Sequence, residues 1–339
     1  MARLATRRSP LAIQQAREVA ELLRSASSGL EVQLVTLDTL GDEQREQPLA
    51  SIGGQGVFVK EVQVAVLDGR ADIAVHSAKD LPSLDSEDLF IAAVPERKDP
   101  RDALIGSRLD SIPPGGLVAT GSVRRKAQLA WVRPDLTFAQ LRGNIGTRLR
   151  KASRFDATVI AVAALERLGL MNHASEILAP AIMLPQAGQG ALAVECRSED
   201  HAMRRLAASI DHPASRLCLE SERAFLREIG GGCNFPFAAH AHILPAGADG
   251  LPAGSDADVD KSGPRSGEQG ALSLSLEGLI ATPDGRRVLR SKVTAGLPAA
   301  SPPARRVAIA RELGEHAART LVENQGGGTV LAETQALWP

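Results

Sequence analysis

Short apolar runs alternate with stretches of helical periodicity through the first part of the chain. Residues 3–6 read as a strand, 11–23 as a helix, 32–37 as a strand, 57–67 as a helix and 72–75 as a strand. Residues 117–120, 136–139 and 157–161 predict three more strands, each followed by a helical segment, and 192–196 predicts another. Strands that alternate with helices predict an α/β fold with mostly parallel sheets. After Ser215 the pattern changes. A helix over 216–228 runs into Gly230-Gly231-Gly232, and two long alternating runs follow at 237–244 and 271–280. A strand near 287–293 and a helix over about 303–322 complete a separate, smaller α+β unit.

Two segments break the pattern. Residues 39–56 carry Gly41, Gly53, Gly54 and Gly56 among polar residues and join a strand to a helix. A connection that long predicts a functional lid. Residues 246–270 are rich in Gly, Asp, Ser and Pro, without apolar periodicity, and predict a disordered hairpin insertion.

The chain has 339 residues, enough for two or three domains, and a net charge of −1. It begins without an apolar leader and has no long apolar span, so the expectation is a cytoplasmic protein with no membrane partner. Its three cysteines, Cys196, Cys218 and Cys233, fit reduced thiols better than a disulfide framework. Charge is distributed unevenly. Residues 115–155 hold seven Arg and two Lys against one acid, Asp135, which makes that segment +8 and the remainder −9. A basic block in a near-neutral chain predicts a local anion site. The scarcity of aromatics, 3%, argues against a nucleic-acid partner.

Three strand-to-helix turns share one chemistry. They are Thr6-Arg7-Arg8-Ser9-Pro10, Thr120-Gly121-Ser122-Val123-Arg124-Arg125 and Arg142-Gly143-Asn144-Ile145-Gly146-Thr147-Arg148. A helix N-terminus with free N–H groups attracts anions, and Arg adds a bidentate fork. Three such turns predict a ligand with several acidic groups, carboxylates or simple phosphates. Neither a phosphate-binding GxxxxGK[ST] loop nor a strand-borne GxGxxG occurs.

His76-Ser77-Ala78-Lys79-Asp80 follows a predicted strand, and the C-terminal ends of α/β strands face the ligand crevice. There Asp80 can stabilise a cation or cap a loop. Lys79 suits an anion contact or salt bridge better than a Schiff base, and His76 suits packing better than catalysis. Cys233 follows three glycines on an exposed turn where thiolate chemistry is accessible, although a lone accessible Cys is more often inert than functional, whereas Cys196 and Cys218 read as core. His240 and His242 alternate on a strand with no matching ligands, so no metal site is expected.

Six motifs, in order, resemble the porphobilinogen deaminase family: residues 5–12, 71–82, 141–149, 184–190 (LPQAGQG), 220–225 (ESERAF) and Gly231-Gly232-Cys233. The resemblance spans about residues 3–240. It implies two lobes like those of periplasmic binding proteins, with a crevice between them and a third α+β domain. Here that means domain 1 at 1–95 with 190–212, domain 2 at 96–189 and domain 3 at 213–339. It makes Cys233 the thioether anchor of a dipyrromethane cofactor and Asp80 the catalytic carboxylate, with Lys79 and Arg7 beside it. Ser77, Thr120, Ser122, Arg124, Arg125, Asn144 and Arg148 would help hold the cofactor. Arg7, Ser9, Arg142, Arg148, Arg167 and Gln189 would meet the substrate, porphobilinogen, and Arg167 would help shift or release the product. The implied protein is a monomeric transferase with no obligate protein partner.

The chain departs from the family in its lid, where Ser51 and Gln55 stand in place of frequent lysines although Lys60 remains, and in the 246–270 insertion. With so few aromatics, Phe58 is the expected ring contact. A non-catalytic anion-binding module would explain the three arginine turns, but it leaves Asp80 and Cys233 without a purpose.

Overall fold

The computed structural model describes residues 1–39, 56, 58–84, 86–230, 235–245 and 272–336. Cys233, the expected insertion at 246–270 and all of the expected lid except its two end residues lie outside them. In chain order the first lobe begins with β1 (Ala2–Arg7), α1 (Pro10–Ala26), β2 (Val32–Leu37), α2 (Lys60–Leu67), β3 (Ile73–Ser77) and β4 (Leu89–Ala93). The second lobe follows with β5 (Asp102–Ile105), β6 (Leu117–Ala119), α3 (Val123–Val132), β7 (Thr137–Ala139), α4 (Ile145–Ala152), β8 (Ala157–Ala161), α5 (Val162–Arg167) and β9 (Glu176–Leu178). The chain returns to the first lobe with β10 (Leu192–Arg197) and α6 (His201–Ala208). It then builds α7 (Pro213–Ile229), β11 (Phe237–Pro245), β12 (Leu272–Ala281), β13 (Val288–Leu297), α8 (Pro303–Arg319) and α9 (Gly327–Ala336).

The first sheet has the order β2-β1-β3-β10-β4 and the second the order β7-β6-β8-β5-β9. In each, one strand runs against the rest. β10 lies antiparallel between β3 and β4, and β5 lies antiparallel between β8 and β9. The expected α/β class with mixed, mostly parallel sheets is therefore found twice, and an antiparallel three-stranded sheet, β11-β12-β13, forms the smaller α+β unit.

Local chemistry explains the elements that matter for the site. Ser9 Oγ accepts from the Ala12 N–H at 3.3 Å and caps α1, and Pro10 takes its first position. Ala12, Gln15, Ala16, Val19, Ala20 and Leu23 then form its buried stripe. β8 is buried along its length, as a central strand covered on both faces must be, and its one polar residue, Thr158, donates to Ala119 O at 2.9 Å. α2 begins at Lys60, later than the apolar pattern suggested, and β3 extends to Ser77. The pattern missed β4, β5 and β9, which are short, and the helices α6 and α9. β5 is especially hard to read because it opens on a charged residue, Asp102.

The third unit docks on both lobes. Leu219 of α7 joins Val59, Ala78, Leu81, Val94, Ala191 and Ala193 in one apolar cluster of the first lobe. Arg290 of β13 donates to Pro180 O and to Gln128 of α3 in the second lobe. Within the unit, α8 lies so close to α7 that a Cβ on Gly314 would strike the Ser221 carbonyl, the Ala224 Cβ and the Phe225 N. Gly314→Ala is therefore expected to destabilise the protein by roughly 1–3 kcal/mol, the usual cost of overpacking a core. Unfolding in urea that matches the unsubstituted protein would remove this close approach as a constraint.

Candidate functional site: an arginine-lined cleft

A cleft of about 380 Å³ opens between the lobes. The first lobe contributes the ends of two parallel strands. Arg7 closes β1, Ser77 closes β3, and Lys79 and Asp80 lie in the single 3-10 turn Ala78–Asp80 that follows. The Arg7 guanidinium lies over the Phe58 ring, 4.1 Å from its centroid, and 4.0 Å from the Asp80 carboxylate. Gln15 reaches across from α1 and donates to Ser77 Oγ at 2.8 Å.

The second lobe contributes two helix N-termini. Ser122 caps α3 and Asn144 caps α4, its Oδ1 accepting from the Thr147 N–H at 2.9 Å. Gly143 precedes this cap with φ +114°, and a Cβ there would meet the Thr147 side chain. Arg148 folds back to donate from Nε to Gly143 O at 2.8 Å, and Arg142 carries a buried Nη1 with no hydrogen-bond partner. With α1, three helix N-termini face one cleft, and each adds positive potential.

The cations crowd one another. Burial pushes Arg148 down to about 10, with the charges of Arg125 and Arg142 adding to the effect. Burial also lowers Arg142. Lys79 is pushed down to about 8 by burial and then by Arg125, against the opposing pull of Asp80 and Asp102. Such a wall is under-neutralised by the protein's own acids, and a ligand with several carboxylates would relieve it.

Of the residues singled out in the sequence, Arg7, Ser9, Ser77, Lys79 and Asp80 line the cleft from one side, and Ser122, Arg125, Arg142, Asn144 and Arg148 from the other. Four others stand behind the wall. Arg124 is expected at the ligand, but its guanidinium donates to Asp102 at 2.8 Å and to Leu184 O at 2.6 Å. Thr120 is buried, and its Oγ1 accepts from Ser122 N. Arg167 donates to Glu18 of α1 at 2.8 Å and to Gly190 O, which ties the second lobe to the first. Gln189 is fully buried, bonding to Lys79, Pro100 and Asp102. The reason is common to all four: each polar end finds a protein partner before it reaches the cleft. Cys233 lies outside the described residues.

Sequence reasoning passed over Gln15 and Asp102. Each carried a signal, a polar residue in an apolar stripe for Gln15 and an acid opening the buried strand DALI for Asp102. His76 pairs with Glu195 at 3.1 Å inside the first sheet, as a packed histidine would. Among the described residues no group of three His, Cys, Asp or Glu could hold a metal, and no helix is long and apolar enough to cross a membrane.

Among solved structures, the chain is similar to the VFT2 domain of BvgS from Bordetella pertussis, at 14% identity over 62% of this chain and 85% of that one, with a TM-score of 0.37. It is also similar to protein PG110 from Staphylococcus aureus, at 12% identity over 66% and 91%, with a TM-score of 0.38. Two family models match far more of the chain. "Porphobilinogen deaminase, dipyromethane cofactor binding domain" matches residues 2–205, and "Porphobilinogen deaminase, C-terminal domain" matches residues 216–323. With both lobes and the third unit so matched, the chain belongs to the porphobilinogen deaminase family of transferases, which serves tetrapyrrole biosynthesis.

Proposed function

We propose that the chain is a hydroxymethylbilane synthase that condenses four porphobilinogen molecules head to tail, with loss of ammonia at each step, onto a dipyrromethane primer held by Cys233. Hydrolysis then releases the linear tetrapyrrole. One observation carries this reading: among the described residues a single acid, Asp80, faces a cleft whose other ionisable lining residues are Arg7, Arg8, Lys79, Arg125, Arg142 and Arg148. Each porphobilinogen brings two carboxylates, so a growing chain of them needs many donors and few competing acids. The unpartnered Arg142 Nη1 and the crowded Arg148 fit a primer bearing carboxylate arms. When bound, that primer supplies a nucleophilic pyrrole carbon.

The residues divide the work. As ammonia departs, the C–N bond of porphobilinogen breaks, and the electron-poor azafulvenium left behind carries positive charge. Asp80 faces that charge and accepts from the pyrrole N–H, which stabilises the transition state electrostatically. Arg7 stays near Asp80 through its stacking on Phe58 and meets a substrate carboxylate. Ser9, Arg142 and Arg148 bind further arms, while Ser77, Ser122, Asn144 and Arg125 hold the primer. Thr120, Arg124, Arg167 and Gln189 act from behind the wall. The domain limits 1–95 with 190–212, 96–189 and 213–339 belong to the same proposal.

Intact mass with peptide mapping tests it. The expected result is the extra mass of two linked pyrrole units on the peptide containing Cys233, absent in Cys233→Ser. An unmodified protein that adds no pyrrole units on incubation with porphobilinogen would overturn the reading.

A further inference from the structure

The wall of the cleft is braced from behind by a group that touches no ligand. Asp102 is fully buried at the start of β5, where the chain first crosses between lobes. Its Oδ2 accepts from Arg124 at 2.8 Å, and its Oδ1 accepts from Arg125 at 2.7 Å and from Gln189 Nε2 at 2.9 Å. Gln189 sits on the second crossing, and its Oε1 accepts from Lys79 Nζ at 3.1 Å. The two crossings are themselves pinned together. Lys98 N donates to Gly190 O at 3.3 Å and Arg97 Nε to Gln189 O at 2.7 Å, while a Cβ on Gly190 would strike Lys98 O.

We propose that Asp102 and Gln189 form a positioning strut that fixes Lys79 of one lobe against Arg124 and Arg125 of the other, and so sets the charge of the wall that receives the substrate's carboxylates. This rests on the cleft being the synthase site. The strut explains why two adjacent arginines can be buried without repelling each other out of the fold: one carboxylate serves both and, through an amide, also orders the amine. A neutral amide is the right connector, because it donates to Asp102 and accepts from Lys79 at once. Four charged groups act on the protonation of Lys79 beside desolvation: Asp80 on its own turn, with Asp102, Arg124 and Arg125 from the second lobe. The remaining neighbour, Gln186, donates to its backbone carbonyl and leaves the amine alone.

The test reads Lys79 itself. The full-length protein is treated with acetic anhydride across a pH series, and acetylation of each lysine peptide is measured by mass spectrometry. In Asp102→Asn the Lys79 midpoint should fall by on the order of one unit, a tenfold loss of protonation at a given pH. Lys126 and Lys151 on the surface of the second lobe should not move. If Asp102→Asn fails to fold by circular dichroism, Gln189→Met decides, because it leaves both arginine pairs with Asp102 in place and removes the amide that joins Asp102 and Pro100 O to Lys79. Its Lys79 should also react several-fold faster at neutral pH, and porphobilinogen KM should rise. Lys79 reactivity unchanged in a folded variant overturns the strut. Labelling does not depend on turnover, so loss of the synthase reading would show separately, as no activity in the unsubstituted protein.

Discussion

Asp80→Asn should leave a folded protein whose turnover of porphobilinogen falls by about 10²–10³-fold, the loss typical when one electrostatic contact to a transition state is removed. Asn keeps the size of the side chain and much of its hydrogen bonding but carries no charge. Asp80 is partly exposed, and among the described residues the one ion pair it makes, with Arg7, is long at 4.0 Å. Its loss should therefore hardly affect stability. The defect belongs in kcat, because carboxylate arms of the substrate would still meet the arginines. The measurement is single-turnover ammonia release together with the unfolding midpoint. A kcat within a few-fold of the unsubstituted protein would remove Asp80 from the chemistry, and a large fall in stability would reassign it to the fold.

The second large effect is on stability. Glu222 of α7 is fully buried. It accepts from Arg97 at 2.6 and 3.2 Å, from Gly188 N at 2.6 Å and from Ala241 N at 2.8 Å, and it lies 3.6 Å from the His240 ring. One carboxylate thus joins the crossings between the lobes to the third unit. Although burial alone would raise it, Arg97 and His240 hold its pKa down at about 2. A carboxylate lowered in the folded state contributes stability above its unfolded value. That contribution is lost as pH falls from about 4.5 toward 2. Glu222→Gln leaves the Arg97 guanidinium without its counter-charge, and removing one partner of a buried pair costs about 3–5 kcal/mol. Urea unfolding at neutral pH and again near pH 3 checks both parts. The variant should be much less stable at neutral pH, and the gap should narrow in acid. A loss below about 1 kcal/mol at neutral pH would mean that the junction is held by packing alone.

Much of this architecture is legible in the chain. β1, β2, β8 and α1 follow from local periodicity and caps, and the three anion-binding turns follow from hydroxyl residues and Arg at helix starts. What could not be read is governed by distant partners. The pattern at 192–196 predicts a strand but contains nothing to say that it enters the first sheet reversed, between β3 and β4. Arg124 and Arg125 look alike in sequence. Asp102, more than twenty positions earlier, holds both guanidiniums inward, yet of the two Arg125 alone still lines the cleft. Gln189 reads as a ligand contact because its motif belongs to the family. Its burial depends on two chain crossings meeting, which no local signal records.

The position of β10 has a consequence for synthesis. The second lobe's sheet is drawn wholly from residues 102–178, whereas the first lobe's sheet needs residues 192–197 to join β3 to β4. A nascent chain emerging from its N-terminus can therefore finish the second lobe while the first still presents the bare edge of β3. For that interval β3 is paired with β1 on one side only, and its other edge is of the kind that recruits foreign strands. The strand that closes the first lobe's sheet is made after the whole second lobe, so translational pausing between residues 93 and 192 prolongs the exposure of that edge to misassembly.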